Sequence, residues 1–160
     1  MSHLWYFGYG SNMSRAIFLE RRKMQPLEAR PGFVDGHRLC FNIPVGPGER
    51  GVANLEPEQG ARTWGVLYHL TIDDFDRLDQ TEGVGFGLYR RAAIDVVTID
   101  DQRIAAFTYQ SAMVTEGRKP SPRYIGLLLD GAREHALPDH YIDYLQSFEL
   151  AVDERDVGGR

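Results

Sequence analysis

The sequence predicts an α+β fold: a single domain over residues 1–150 with a mixed, mostly antiparallel, barrel-like β-sheet and flanking helices, then a flexible C-terminal tail over 151–160. Three observations carry this expectation. At 160 residues the chain fits one domain and is long enough to bury a sizeable core. Apolar, β-preferring runs come in pairs separated by short polar turns. Helical patterns interrupt those runs without the regular alternation that a parallel doubly wound sheet needs.

The first strand is Leu4-Trp5-Tyr6-Phe7, which runs into Gly8-Tyr9-Gly10. Ser11-Asn12 then opens an amphipathic segment with Met13, Ile17 and Phe18 as its apolar residues, read as a helix that Ser11 or Asn12 caps. At such a junction the first backbone N–H groups of the helix lack partners inside it, and a carboxylate or developing oxyanion can occupy the space in front. The same junction also serves as a plain connector, and spacing alone leaves both readings open. A dinucleotide fingerprint would need a third glycine where Met13 stands, and a P-loop needs a Gly-Lys-Ser/Thr ending that is absent. A nucleophile elbow around Ser11 would need glycine at positions 9 and 13, where Tyr9 and Met13 stand.

Pro26 and Pro31-Gly32 predict a break, after which Phe33 to Ile43 reads as strand or hairpin, with Asp35-Gly36 in a turn-like position. Residues 44–51 have the composition of a surface loop, either a mobile flap or a connector. Gly51 to Leu55 and Thr63 to Leu70 read as two strands joined by a polar turn, Glu56 to Arg62. Thr71 is a helix cap with Asp74 three residues on, Phe75 and Leu78 mark the apolar face, and Gly83 ends the helix. Leu88 to Ile99 and Arg103 to Met113 predict a hairpin around Asp100-Asp101-Gln102. Ser121-Pro122 is a cap with proline at the first helical position, followed by a helix to about His135; Pro138 starts another, carrying Tyr141, Tyr144, Leu145 and Phe148.

A net charge of -5 argues against a nucleic-acid partner, which would need a clustered basic face. The densest basic cluster, Arg21-Arg22-Lys23, reads as a solvated helix end. Cys40 is the single cysteine, so no internal disulfide forms; a reducing, cytoplasmic setting is expected, with Cys40 as a buried thiol. No window reaches membrane-spanning length, and no membrane partner is expected. The five histidines show no metal-ligand spacing: His135 and His140 are separated by Pro138, and His37-x-x-Cys40 has no second half. No metal is expected, and the chemistry left open is that of carboxylates. Among them Glu82 stands out. It falls at a helix C-terminus, which disfavours its charge and raises its pKa towards a useful base, and glycines follow it directly. A solvated helix-end glutamate remains the competing reading.

Tyr6-Phe7-Gly8-Tyr9-Gly10-Ser11-Asn12-Met13 resembles the signature that opens γ-glutamylcyclotransferase family proteins. The similarity continues in family order through Trp64-Gly65-Val66, Leu78-Asp79-Gln80-Thr81-Glu82-Gly83-Val84, Gly87-Leu88-Tyr89, Pro120-Ser121-Pro122-Arg123-Tyr124, Gly131-Ala132-Arg133-Glu134 and Leu137-Pro138 with Tyr141. The resemblance implies a barrel-like fold and an intramolecular aminoacyl transfer. The α-amine of a γ-glutamyl compound attacks its own γ-carbonyl, which releases 5-oxoproline and an amine or amino acid. It implies that Glu82 is the general acid/base and that the stretch Tyr6, Phe7, Gly8, Tyr9, Gly10, Ser11 holds the γ-glutamyl group. Asn12 belongs to the same loop, Tyr124 contacts the substrate, and Tyr89 either walls the pocket or sits in the core. No cofactor is required; the expected partner is a small γ-glutamyl molecule, and homodimerisation is left open. The Tyr-Gly-Ser-Asn form differs from the Tyr-Gly-Ser-Leu form of the glutathione-specific branch, so glutathione is less favoured. A γ-glutamylamine substrate and a non-catalytic γ-glutamyl-binding domain are the alternatives.

Overall fold

In the computed structural model, which describes residues 2–152, five strands close into a barrel in the order β1-β3-β2-β4-β5. The strands are β1 (His3–Gly8), β2 (Glu28–Pro44), β3 (Gly51–Thr71), β4 (Arg90–Thr98) and β5 (Arg103–Gln110). Neighbours pair antiparallel except where β1 meets β5 in parallel, at Tyr6 and Phe107, which closes the barrel. Closure places β1, the first strand in the chain, between the long β3 and the last strand. Helices α1 (Ile72–Thr81), α2 (Pro122–Glu134) and α3 (Asp139–Gln146) flank the sheet, with Phe148 just beyond the end of α3.

The expected hairpin holds: β4 and β5 pair from Arg90–Gln110 to Val97–Arg103 across the turn. The caps hold as well. Thr71 Oγ1 accepts from the Asp74 N–H at 3.1 Å, and Ser121 Oγ from the Tyr124 N–H at 3.1 Å with Pro122 following. Gly83 closes α1 at a left-handed φ of 68°, which an L side chain adopts only with strain.

Three local expectations are corrected. First, Pro31-Gly32 and Asp35-Gly36 lie inside a single long β2, with the register against β3 slipping between Asp35 and His37. Tertiary pairing carries the chain through both signals and turns the second into a bulge. Second, residues 51–71 form one continuous β3; the polar stretch survives as residues 58–61, left out of the β2 register between Pro57 and Arg62. Third, Ser11–Met13 is a short 3-10 turn capped by Gly10, and Ala16–Arg21 is a π-helix. An α-helix from Ser11 would need the Asn12 carbonyl and the Arg15 N–H for its own ladder. Instead the Tyr68 hydroxyl donates to Asn12 O at 2.8 Å, and the Arg15 N–H donates to Glu134 Oε1 at 2.9 Å. The widened ladder ends with the Arg22 N–H on Ile17 O at 2.9 Å.

The core fills the barrel and the space under the helices. Phe7, Phe18, Val66, Leu70, Phe75, Leu78 and Leu128 are fully buried, and the rings of Phe18 and Tyr68 stack at 4.1 Å. Helix α2 presses against the 3-10 turn at Gly131, where a Cβ would stand 2.5 Å from Met13 Cβ and 2.6 Å from its carbonyl carbon. Only a residue without a side chain permits that approach. Of the expected flexible tail, Ala151 is buried and donates its N–H to Pro120 O at 2.8 Å, while residues 153–160 lie outside the described residues. Among the described residues no helix is long and apolar enough to cross a membrane.

Candidate active site

Strand β1 delivers its C-terminal residues to one mouth of the barrel, where a cavity of about 220 Å³ opens. Tyr6, Tyr9, Gly10, Ser11 and Asn12 line it from the first strand and turn, with Glu82, Tyr89 and Tyr124 from later in the chain. Two members of the expected binding stretch stand elsewhere. Side chains alternate along a strand, so Tyr6 faces the cavity and Phe7 the other side, fully buried in the core. Gly8 contributes no lining; a Cβ there would come within 3.3 Å of the Tyr6 ring, and its absence leaves that ring its place.

The centre of the site is a chain of three polar side chains. Asn12 Nδ2 donates to Glu82 Oε1 at 2.8 Å and to the Tyr6 hydroxyl at 2.8 Å, while Arg22 Nε donates to Asn12 Oδ1 at 2.6 Å. Arginine can only donate, so the amide oxygen must face it, and the NH₂ group is thereby aimed at the glutamate. Burial pushes the Glu82 carboxyl above its ordinary range, and the Arg22 charge and the Asn12 hydrogen bond pull it back only in part. The physical cause thus differs from the sequence expectation, which invoked the helix terminus. Glu82 does sit at the C-cap of α1, but desolvation dominates. Its carboxylate forms no ion pair among the described residues, so it remains free to accept a proton.

Sequence reasoning missed Arg22, Val52, Ala53 and Tyr109, all of which line the cavity. The sequence places Arg22 in a solvated helix end; the π-helix instead returns it to the cavity. Ala53 stands where the β2–β3 register slips between Cys40 and Ile43, so its backbone groups turn from the ladder. Tyrosines satisfy both: the Ala53 N–H donates to the Tyr124 hydroxyl at 3.1 Å, and the Tyr89 hydroxyl donates to Ala53 O at 2.7 Å. Tyr109 donates to Asp79 Oδ1 at 2.6 Å, and its backbone carbonyl accepts from the Tyr9 hydroxyl at 2.5 Å. Burial holds the phenols of Tyr6, Tyr9, Tyr89, Tyr109 and Tyr124 above their ordinary pKa, so all are neutral hydroxyls at physiological pH. No periodicity or motif in the sequence announces these cross-chain bonds.

The arrangement offers one proton acceptor of raised pKa, one cation and a ring of neutral hydroxyl groups. Among the described residues no cluster of three or more histidine, cysteine or acidic side chains could hold a metal ion. The site is therefore suited to positioning a small polar molecule and moving protons on it.

Comparison with known proteins places the chain in a family. A family profile described as the AIG2-like family matches residues 62–145. The γ-glutamyl cyclotransferase gliK of Claviceps purpurea is 37% identical over 140 residues, covering 81% of this chain; the chain spans 63% of the length of that relative. The γ-glutamylcyclotransferase of Bos taurus is 30% identical over 149 residues, covering 90% of this chain and 78% of the bovine protein. A solved γ-glutamyl cyclotransferase superimposes with a TM-score of 0.82 at 25% identity, covering 93% of this chain and 89% of that one. The chain belongs to the AIG2-like family, and its curated relatives are γ-glutamylcyclotransferases.

Proposed function

We propose that the protein is a γ-glutamylcyclotransferase in which Glu82 carries the protons. The observation that supports this best is the partly buried Glu82 carboxylate, held by Asn12 in the same cavity as the Tyr9–Asn12 turn. The α-nitrogen of a γ-glutamyl substrate is mostly an ammonium at neutral pH and must lose a proton before it attacks. Glu82 takes that proton. The α-nitrogen then bonds to the γ-carbonyl carbon, the carbonyl oxygen becomes an oxyanion, and the new ring nitrogen sheds a second proton. As the oxyanion collapses, the bond from the γ-carbon to the leaving nitrogen breaks. Both protons end on that nitrogen, which departs as an ammonium and leaves 5-oxoproline behind.

The N–H groups of Ser11 and Asn12, in the first turn of the 3-10 helix, have no partner inside it and suit the oxyanion or the α-carboxylate. Ring closure within one molecule needs no second reactant. Holding the folded conformer contributes up to roughly 7–11 kcal/mol in favourable intramolecular systems. The test is a panel of γ-glutamyl amino acids and γ-glutamyl amines with 5-oxoproline as the readout. Release from at least one member is expected, and the preferred member identifies the leaving group. Binding of γ-glutamyl compounds without any release would make the protein a non-catalytic γ-glutamyl-binding domain.

A further inference from the structure

We infer that Arg22 receives the α-carboxylate of the γ-glutamyl group and that Asn12 sets its spacing from Glu82, so that the cavity reads an α-amino acid head. This rests on the γ-glutamyl reading above and adds to it the part of the substrate that is recognised.

Arg22 and Glu82 are the two charged side chains in the cavity lining. Arg22 is half-buried, spends its Nε on Asn12 Oδ1, and makes no ion pair among the described residues. The remaining guanidinium N–H groups form a fork of the shape that pairs with a carboxylate. An α-amino acid carries its amine and its carboxylate on one carbon, so a site that binds it needs a proton acceptor and a cation side by side. One amide spans the two groups: Nδ2 on Glu82 at 2.8 Å and Oδ1 on Arg22 at 2.6 Å. The base and the cation are therefore held one amide apart.

Pairing also changes the base. Free Arg22 lowers the Glu82 pKa, so a carboxylate that neutralises the guanidinium lets burial act more fully and makes Glu82 a stronger base with substrate in place. With Arg22 engaged by the α-carboxylate, the N–H groups of the 3-10 turn are left for the oxyanion.

The experiment compares a γ-glutamyl amide with the 4-aminobutanoyl amide of the same amine, which differs only in lacking the α-carboxylate. Dissociation constants are measured by calorimetry in the Glu82→Gln background, where turnover does not interfere, with and without Arg22→Gln. With Arg22 present the γ-glutamyl compound binds about 10²-fold more tightly than its counterpart, as expected where a half-buried charged donor is left unpaired. Arg22→Gln cuts that ratio to below about 10-fold while the 4-aminobutanoyl compound binds as before. Arg22→Lys, which keeps the charge and loses the fork, falls between and guards against a folding defect in the glutamine variant. An equal loss for both compounds overturns the inference, because Arg22 would then serve only to orient Asn12; so does failure of the γ-glutamyl compound to bind. Preferential binding of the γ-glutamyl compound without 5-oxoproline release by the unaltered protein upholds the carboxylate subsite and fails the catalytic reading alone.

Discussion

On one side of the cavity the turn from Tyr9 to Asn12 is tied to three distant segments. Tyr68 holds the Asn12 carbonyl, Arg22 and Glu82 hold its amide, and the Tyr9 hydroxyl reaches the Tyr109 carbonyl. On the other side the segment Gly83–Leu88 is a short 3-10 turn between two left-handed glycines, and Phe86 at its tip is 93% exposed. Glu82 stands at the seam, as the C-cap of α1 and the last residue before the open loop. Rigid backing with open access suits the proton carrier proposed for Glu82: Asn12 holds its carboxylate from one side, and the loop on the other side leaves a departing group a way out.

Removing the proposed proton carrier is the severest way to break this division of labour. Glu82→Gln keeps an acceptor for Asn12, so folding persists while turnover drops by about 10²-fold or more, checked by 5-oxoproline release. Stability moves the opposite way. The folded-state pKa of Glu82 is raised, so the cost of burying the charge is absent below the unfolded value and develops as pH rises through the folded one. Thermal unfolding should therefore show Glu82→Gln to be more stable than the unaltered protein at pH 7, with the gain vanishing near pH 4.

The rigid side can be broken from behind. Gly131→Val places methyl groups against Met13, where a Cβ already stands at 2.5 Å. The overpacking should cost about 1–3 kcal/mol in denaturant unfolding and lower activity by shifting the 3-10 turn. A smaller change sharpens the comparison. Asn12 favours the ionised form of Glu82, so Asn12→Ala raises the Glu82 pKa further and moves the acidic limb of the kcat/KM profile to higher pH. An unmoved limb would mean that another group sets it. The open side should respond least. Phe86→Ala leaves stability within about 0.5 kcal/mol, as for exposed positions generally, and alters KM only for substrates with bulky leaving groups.

Much of the framework was legible in local pattern. The β4–β5 hairpin, the Thr71 and Ser121 caps and the Gly83 stop are decided by residues within a few positions of one another, and these are the signals that periodicity and capping carry. Glu82 stood out for the same local reason, its place at a helix end beside glycines. The continuity of β2 and β3 was illegible because pairing across the barrel overrode the Pro-Gly and Asp-Gly signals. The 3-10 and π turns after Gly10 arose because Tyr68 and Glu134, far along the chain, took the groups that an α-helix would have used.

The sequence by itself determined which residues could form strands, caps and a helix-end carboxylate, because those preferences are set by neighbours along the backbone. Tertiary structure alone decided that Arg22 would face Glu82 through an amide 70 positions away from it, and that burial rather than the helix terminus would lift the carboxyl pKa. Those outcomes depend on desolvation and on hydrogen bonds between distant segments, which exist only once the barrel has closed.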